Sequence, residues 1–231
     1  MHSLDRPVWA SLTTHHAVLS EGNELARRFV RDVNLFASTP DDTPASVAAL
    51  AALVKSQESV FLLQVPKIVI PPGLVEIKAA KGVQMVATRS MQSEVTGDIL
   101  TLTDEDSPEM LELATLTEPG PFLTRTHIMG TFRGIRIGGR LVAMAGERMR
   151  FPGFTEVSGV CTHPEFRGRG LARRLSAAVV AGIQARGDRA FLHAWKTNQS
   201  AISLYEGLGF ELRSEVNVAL LKSAGGAGIE V

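Results

Sequence analysis

The stretch HPEFRGRGLA, residues 163–172, places two glycines and two arginines between a proline and a helical pattern. Glycine removes side chains from one side of the backbone, and the arginines add positive charge beside it. The first N–H groups of a helix have no intrahelical acceptor, and the positive end of the helix dipole lies at the same place. These residues therefore predict a cradle for an anion such as a phosphate.

Three known phosphate-binding patterns can be compared with this stretch. The Walker A pattern G-x-x-x-x-G-K-[ST] is absent from the sequence. The dinucleotide-binding pattern G-x-G-x-x-G/A starts at Gly168, but Arg173 occupies its third position, where a long side chain would block close helix–strand packing. Asp188 precedes its predicted strand, whereas a ribose-binding acid is expected at the far end of one. The third pattern, R-x-x-G-x-A, fits residues 167–172 in full.

The composition is that of a globular chain without excess charge. Of 231 residues, 45% are hydrophobic, and 24 Lys plus Arg balance 24 Asp plus Glu. This length suffices for one large or two small domains, and zero net charge argues against a nucleic-acid partner. A single cysteine excludes an intrachain disulfide and favours a reducing compartment. Since the N-terminus lacks a signal-peptide core and no apolar run reaches about 20 residues, we expect a cytoplasmic protein without a membrane partner.

The predicted elements divide the chain near residue 96. Residues 97–231 predict the order β-α-β-β-β-α-β-α-β-β, with a hairpin around IRIGG and two closing strands, FEL and EVNVALL. Residues 1–96 predict a weaker α-then-β order, with a long helix over residues 9–28. This order suggests a degenerate copy of the start of the second half. We therefore predict an N-terminal α/β region, 1–96, and a second domain, 97–231.

Two longer stretches, EVSGVCTHPEFRGRGLARRLSAAVVAGI around the glycine loop and RAFLHAWKTNQSAISLYEGLGFEL after it, resemble the GCN5-related N-acetyltransferase (GNAT) superfamily, in its FR47-like branch. The resemblance covers about residues 97–221 and is best from Glu156 to Leu212. The glycine loop followed by N-x-x-A-x-x-x-Y-x-x-x-G-F is far more specific than the loop alone. The resemblance implies an α/β (α+β) fold, a mixed, mostly antiparallel sheet flanked by helices, with the N-terminal region as an extension.

The resemblance also implies a site for acetyl-CoA as cosubstrate. In the family, the strand before the loop parts from its neighbour, and its backbone pairs with the pantetheine arm, while the loop N–H groups hold the pyrophosphate. A Cβ at Gly168 or Gly170 would collide with a phosphate oxygen. For Arg173 and Arg174, a solvated helix face is at least as good an explanation as a phosphate contact. The implied cofactor-binding residues are Val160, Cys161, Thr162, Arg167, Gly168, Arg169, Gly170, Leu171, Ala172, Asn198 and Ala201; no metal is expected.

The catalytic residues implied by the resemblance are Tyr205, as proton donor to the leaving thiolate, and Glu156, as base for the amine. A water chain could replace Glu156, and Glu147 on the neighbouring strand is a weaker candidate. His193 lies in the strand after the main helix and could border the cleft, but we expect a buried histidine whose ring is hydrogen-bonded by backbone groups. Cys161 is expected to be a small buried hydrophobe rather than a nucleophile.

The predicted function is transfer of an acetyl group from acetyl-CoA to the amine of a small-molecule or amino-acid-like acceptor. Three alternatives stay open: a longer acyl-CoA, an acceptor other than an amine, and a non-catalytic CoA-binding module. The sequence does not identify the acceptor or the oligomeric state.

Overall fold

The computed structural model describes residues 2–91 and 97–224. Within them lie five α-helices and eleven strands, none of the helices being long and apolar enough to cross a membrane. The helices are α1 (Pro7–Leu12), α2 (Pro44–Leu53), α3 (Ser107–Thr117), α4 (Leu171–Ala185) and α5 (Gln199–Glu206). The strands are β1 (Ser20–Gly22), β2 (Arg27–Phe29), β3 (Ala37–Ser38), β4 (Ser59–Gln64), β5 (Leu74–Ala87), β6 (Ile99–Thr101), β7 (Phe132–Ile137), β8 (Arg140–Phe151), β9 (Phe154–Thr162), β10 (Arg189–Trp195) and β11 (Phe210–Ser223).

The chain folds as two compact units. Unit 1 comprises residues up to 31, 35–82 and from 214 on, and unit 2 comprises 32–34 and 83–213. Strands β5 and β11 contribute residues to both. The predicted boundary at residue 96 lies outside the described residues, so the division into 1–96 and 97–231 stays a prediction, as does the degenerate repeat.

Unit 2 is built on a sheet with the order β5-β10-β9-β8-β7-β6. Strand β10 is parallel to β9, and the pairs from β9 to β6 are antiparallel. In β8, Ala143 and Ala145 join the buried cluster of α4, whereas Met144 packs with Met110 of α3. Because successive side chains of a strand point to opposite faces, α3 and α4 cover opposite faces of this sheet. The predicted mixed, mostly antiparallel sheet flanked by helices is confirmed.

Unit 1 contains the strand order β4-β11-β5 and the separate antiparallel sheet β1-β2-β3. Its apolar core joins α2 to β4 and β11 through Leu50, Leu62 and Leu221. Burial of these side chains, at about 1.5–3 kcal/mol each, stabilises the unit.

Two predicted elements are wrong. The two closing strands, FEL and EVNVALL, are one 14-residue strand, β11, which lies between β4 and β5 in the sheet and so has a pairing strand on each side. The helix over residues 9–28 ends at Leu12. Just beyond it, the Thr14 hydroxyl donates to the Ala10 carbonyl, a bond of the kind that competes with helical pairing. The element order from β6 to α5 is as predicted.

Candidate active site

Strands β9 and β10 run side by side only at their beginnings. Their pairing ends with Glu156 opposite Phe191, yet β9 continues to Thr162 and β10 to Trp195. Where two parallel strands stop pairing before their ends, the backbone N–H and C=O groups that face the gap between them have no partner on the other strand. Such groups can pair with an extended ligand, and Val160, Cys161 and Thr162 follow the point of parting.

The loop after β9 leads directly to the N-terminus of α4. Gly168 and Gly170 have φ of +77° and +73°, a region that side-chain-bearing residues rarely adopt. A Cβ at either glycine would meet nothing within 4 Å, so the backbone conformation requires glycine and the space beside it is open. The helix begins at Leu171, which leaves its first-turn N–H groups without intrahelical acceptors. The Arg167 N–H is already used, because it donates to the Pro164 carbonyl at 3.3 Å.

The four arginines around this loop make different contacts. On the loop, Arg167 Nε donates to the Thr162 carbonyl at 3.4 Å, and the Arg169 guanidinium carbon lies 4.9 Å from the Phe166 ring centroid. On α4, Arg173 Nη2 donates to the Gly207 carbonyl at 2.8 Å, and Arg174 pairs with Asp98 at 2.6 Å. Arg173 and Arg174 are therefore engaged by groups of the protein itself. Arg167 and Arg169 stay on the loop, where they can add positive charge to a bound anion.

Helix α5 carries the other cofactor residues expected from the sequence. The Asn198 side chain accepts a hydrogen bond from the Ala201 N–H at 3.1 Å, so it caps the helix. Tyr205 and Leu171 belong to one buried cluster, and Val160 and Ala201 pack against it. The structure thus brings α5, the end of β9 and the start of α4 together. Burial raises the pKa of Tyr205 to about 12.

Cys161 is buried beneath α3, as expected of a small hydrophobe. Burial raises the pKa of its thiol to about 11, so the thiolate is scarce at neutral pH. This environment does not activate a nucleophile.

Glu156 is fully buried and is held by a bidentate ion pair. Arg148 donates to it through Nε at 2.8 Å and Nη2 at 2.7 Å, and the Met149 N–H adds a longer bond at 3.4 Å. Burial alone would raise the pKa of Glu156, but the charge and hydrogen bonds of Arg148, aided by His193, outweigh it and lower the pKa to about 2. The carboxylate is therefore ionised at neutral pH and binds protons weakly.

The ion pair is one part of a longer, partly buried network. Arg213 Nη1 donates to Gln84 Oε1 at 2.8 Å, which turns the Gln84 amide nitrogen toward His193 Nε2 at 3.0 Å. His193 Nδ1 lies 2.7 Å from Glu156 Oε1. Inferred from these partners, the ring proton is on Nδ1 and is donated to Glu156. The His193 side chain is 6% exposed, as expected, but the predicted backbone partner is wrong, because the ring contacts side chains of the two neighbouring strands.

Glu156 and the Tyr205 cluster belong to opposite faces of β9. Val157 packs in the cluster that holds Tyr205, and the adjacent Glu156 points the other way. Glu147, the weaker candidate base, is paired with Arg186 at 2.7 Å.

A cleft adjoins β9 on the Glu156 face. It encloses about 250 Å³, open solvent at its mouth included, and Arg148 forms part of its wall. Its other lining residues come from the loop after α3, from β7 and from β9: Pro119, Gly120, Pro121, Phe122, Thr126, Phe132, Ser158 and Gly159. The sequence does not predict Arg148 and Phe122 beside this cleft, because no spacing links them to the glycine loop.

Comparisons with known proteins agree with this architecture. Residues 132–218 match the family described as FR47-like protein. No functionally curated protein matches the sequence.

Solved structures give a closer comparison. A protein assigned to the GNAT family of acetyltransferases from Novosphingobium aromaticivorans is 43% identical, with a TM-score of 0.92 over 97% of this chain and 100% of that one. A GCN5-related N-acetyltransferase from Kribbella flavida is 18% identical, with a TM-score of 0.65 over 98% and 97% of the two chains. A GNAT-family acetyltransferase from Colwellia psychrerythraea is 11% identical, with a TM-score of 0.53 over 87% and 82%. The last two support the fold alone.

Proposed function

The chain belongs to the GCN5-related N-acetyltransferase superfamily, in its FR47-like branch, and from this premise we propose that it transfers an acetyl group from acetyl-CoA to the amine of a small-molecule or amino-acid-like acceptor. The family makes it an acyltransferase. The acyl group, the amine and a cytoplasmic location belong to the proposal.

One observation carries the proposal: β9 parts from β10 directly before the glycine cradle. The strand pairing ends at Glu156, and the N-terminus of α4 begins at Leu171. Unpaired strand groups suit the amide-bearing pantetheine arm, and the helix N-terminus suits its pyrophosphate. Both ligand-binding features follow one another along a single stretch of chain.

A buried hydroxyl at the end of β9 also fits acetyl-CoA. Within the described residues, Thr162 Oγ1 is buried and has no hydrogen-bond partner. An unsatisfied buried hydroxyl costs about 1–3 kcal/mol, so a polar ligand group beside it would stabilise the site. Thr162, Gly168 and Gly170 are therefore the residues we propose to hold the cosubstrate.

Tyr205 is proposed as the proton donor. When acetyl-CoA is bound, it supplies an activated thioester carbonyl. The acceptor amine forms a C–N bond to that carbonyl carbon, the C–S bond breaks, and the leaving thiolate takes the Tyr205 proton. With a pKa of about 12, the Tyr205 hydroxyl is protonated at neutral pH and so has a hydrogen to donate to the sulfur. The Val160 N–H is proposed as hydrogen-bond donor to the oxyanion.

The base is assigned to water rather than to Glu156 acting directly. A general base works best with a pKa near the working pH, and the Arg148 ion pair lowers the pKa of Glu156 to about 2. Direct proton transfer to Glu156 would thus have little driving force. We propose that Glu156 instead fixes Arg148 and His193 in place.

The first test is calorimetric titration of the protein with acetyl-CoA and with CoA. We expect micromolar binding that Gly170→Glu abolishes, because a carboxylate would stand where a phosphate binds. Gly187→Glu is the matched control: its φ of +83° is equally unusual and its Cβ is equally uncrowded, but it follows the C-terminus of α4. Absence of binding to the wild type, or equal losses in both variants, contradicts the proposal.

The second test separates an enzyme from a CoA-binding module. Tyr205→Phe removes only the hydroxyl, so we expect thiol release to fall by roughly 10²- to 10⁴-fold while CoA affinity is retained. A longer-chain enzyme would favour a longer acyl-CoA in the same assay. A module without catalysis would show no turnover in the wild type.

A further inference from the structure

Arg173 links the glycine cradle to the turn that follows α5. It is the third residue of α4, so its backbone belongs to the helix turn that is proposed to hold the pyrophosphate. Its side chain extends to the end of α5, where Nη2 donates to the Gly207 carbonyl at 2.8 Å. Gly207 comes directly after α5 and two residues after Tyr205. One side chain thus joins the proposed phosphate site to the helix that carries the proposed proton donor.

Helix α5 is short, so its position depends on contacts at its ends. It has eight residues, and helices shorter than about 12 residues are marginal on their own. The Asn198 side chain caps its first turn. At the other end, where the last carbonyls of a helix lack intrahelical partners and the dipole favours a cation, Arg173 donates to the carbonyl of the capping residue. A side chain therefore holds α5 at each end.

The turn after α5 leaves room for the guanidinium. Gly207 has φ of −64° and ψ of −15°, an ordinary helical backbone that other residues adopt freely. A Cβ at this position would, however, lie 2.9 Å from Arg173 Nη1, which is too close for an ordinary contact. The space occupied by the guanidinium, rather than the backbone conformation, therefore explains a glycine here.

The same turn fixes the position of Tyr205. The Leu208 N–H donates to the Tyr205 carbonyl at 3.0 Å, and both side chains pack in one buried cluster. The Tyr205 ring meets the Phe210 ring edge to face, with centroids 5.9 Å apart. The N–H and the hydroxyl of Thr88 both donate to the Gly209 carbonyl, at 3.0 and 3.2 Å, and so hold the end of the turn. A displacement of this turn would therefore move the phenol.

Building on the proposed function, we infer that Arg173 is a positioning residue for Tyr205: it fixes the turn after α5 to the first turn of α4 and so places the phenol relative to the bound pyrophosphate. The sulfur lies at the far end of the pantetheine arm from the pyrophosphate, so its proton donor has to stand at a matching place, and small misplacements of reacting groups are costly. Arg173 is itself exposed, so its loss should change the reaction rate more than the stability.

The first test observes Tyr205 directly. The chain has a single tyrosine, so labelling with ring-¹³C-tyrosine gives NMR signals from Tyr205 alone. We expect Arg173→Ala to shift or broaden these signals, because the position of the phenol relative to the Phe210 ring changes. Arg174→Ala, at the next residue of the same helix, removes the pair with Asp98 and should leave the signals unchanged. The thermal midpoints of both variants should stay within about 3 °C of the wild type.

Gly207→Ala tests the same contact from the opposite side. The added methyl group would displace the guanidinium, so the Tyr205 signals should change as they do in Arg173→Ala. In a protein that already carries Arg173→Ala, the methyl group meets no guanidinium, and Gly207→Ala should add little further change. Changes of equal size in both backgrounds would contradict the contact assigned to Arg173.

Kinetics show whether the position of the phenol matters to the reaction. With an acceptor that supports thiol release, Arg173→Ala should lower kcat about 3- to 10-fold, the worth of one hydrogen bond. The KM for acetyl-CoA and the calorimetric affinity for CoA should stay within about twofold of the wild type, because the cradle is intact. In the Tyr205→Phe background, the same change should lower kcat less than about twofold, because no phenolic proton remains to be positioned.

The outcomes separate the possible roles of Arg173. Unmoved Tyr205 signals in Arg173→Ala overturn the inference whether or not an acceptor is known. A kcat loss of equal size in the wild-type and Tyr205→Phe backgrounds also overturns it, and a loss confined to CoA affinity would make Arg173 a phosphate-binding residue instead. Calorimetry with acetyl-CoA tests the proposed function separately: cosubstrate binding with unmoved signals sinks only the inference, and absence of cosubstrate binding sinks both.

Discussion

Unit 2 contains arginine ion pairs of two kinds, one exposed to water and one buried. Around the cradle, the pair of Arg174 with Asp98 leaves 38% and 49% of the two side chains exposed. In the sheet, the pair of Arg148 with Glu156 leaves 9% and 0% exposed. Water screens the first pair, so it contributes little to stability. In the second pair, removing either residue would leave the other charge buried without a partner, which would destabilise the fold. Burial, more than the residue types, therefore determines what an ion pair contributes to the stability of the fold.

The largest expected effect comes from breaking the buried pair on one side. Glu156→Ala leaves the Arg148 guanidinium buried without its carboxylate, and we expect a loss of about 3–5 kcal/mol in the free energy of unfolding. Asp98→Ala is the control in the exposed pair, with an expected loss below about 1 kcal/mol. Urea denaturation of both variants measures the difference. Losses of equal size would show that burial does not separate the two pairs.

Acid should act on the same buried pair in the wild type. The pKa of Glu156 is about 2, below its ordinary value of 4.5. A carboxyl whose pKa is lowered by folding stabilises the fold above its unfolded-state pKa, and this contribution disappears as pH falls through the folded-state value. Between about pH 4.5 and pH 2 we expect a loss of about 3 kcal/mol from this group.

The acid prediction is measured by denaturation at a series of pH values in wild type and in Arg148→Met/Glu156→Gln. Burial alone would raise the pKa of Glu58, but the hydrogen bond and charge of Arg28 lower it. Glu58 therefore adds an acid-induced loss of stability of the same sign in both proteins. The difference between the two curves therefore isolates Glu156. Parallel curves would contradict the pKa assigned to its carboxyl.

These contrasts also explain which parts of the site the sequence reveals. The cradle and the Asn198 cap depend on residues close together in the chain, so residues 163–172 and the pattern after Asn198 predict them. The buried network joins Gln84 to His193, 109 residues apart, and no local spacing marks such a contact. The sequence predicts Glu156 as a site residue, but its environment depends on Arg148, which only the pairing of β8 with β9 brings beside it.

The smallest predicted effect concerns the cradle itself. Gly170→Ala adds one methyl group in open space, so its cost is the left-handed backbone at φ +73°, about 1–2 kcal/mol of stability. Gly182→Ala in the same helix is the control: its Cβ would lie 3.6 Å from Arg133 Nη2, an ordinary contact, and alanine should stabilise the helix by about 0.5–1 kcal/mol. Thermal denaturation of the two variants should therefore shift the midpoint in opposite directions. If Gly170→Ala raised the midpoint as well, the left-handed backbone would cost alanine little, and the requirement for glycine in the cradle would have to come from the ligand alone.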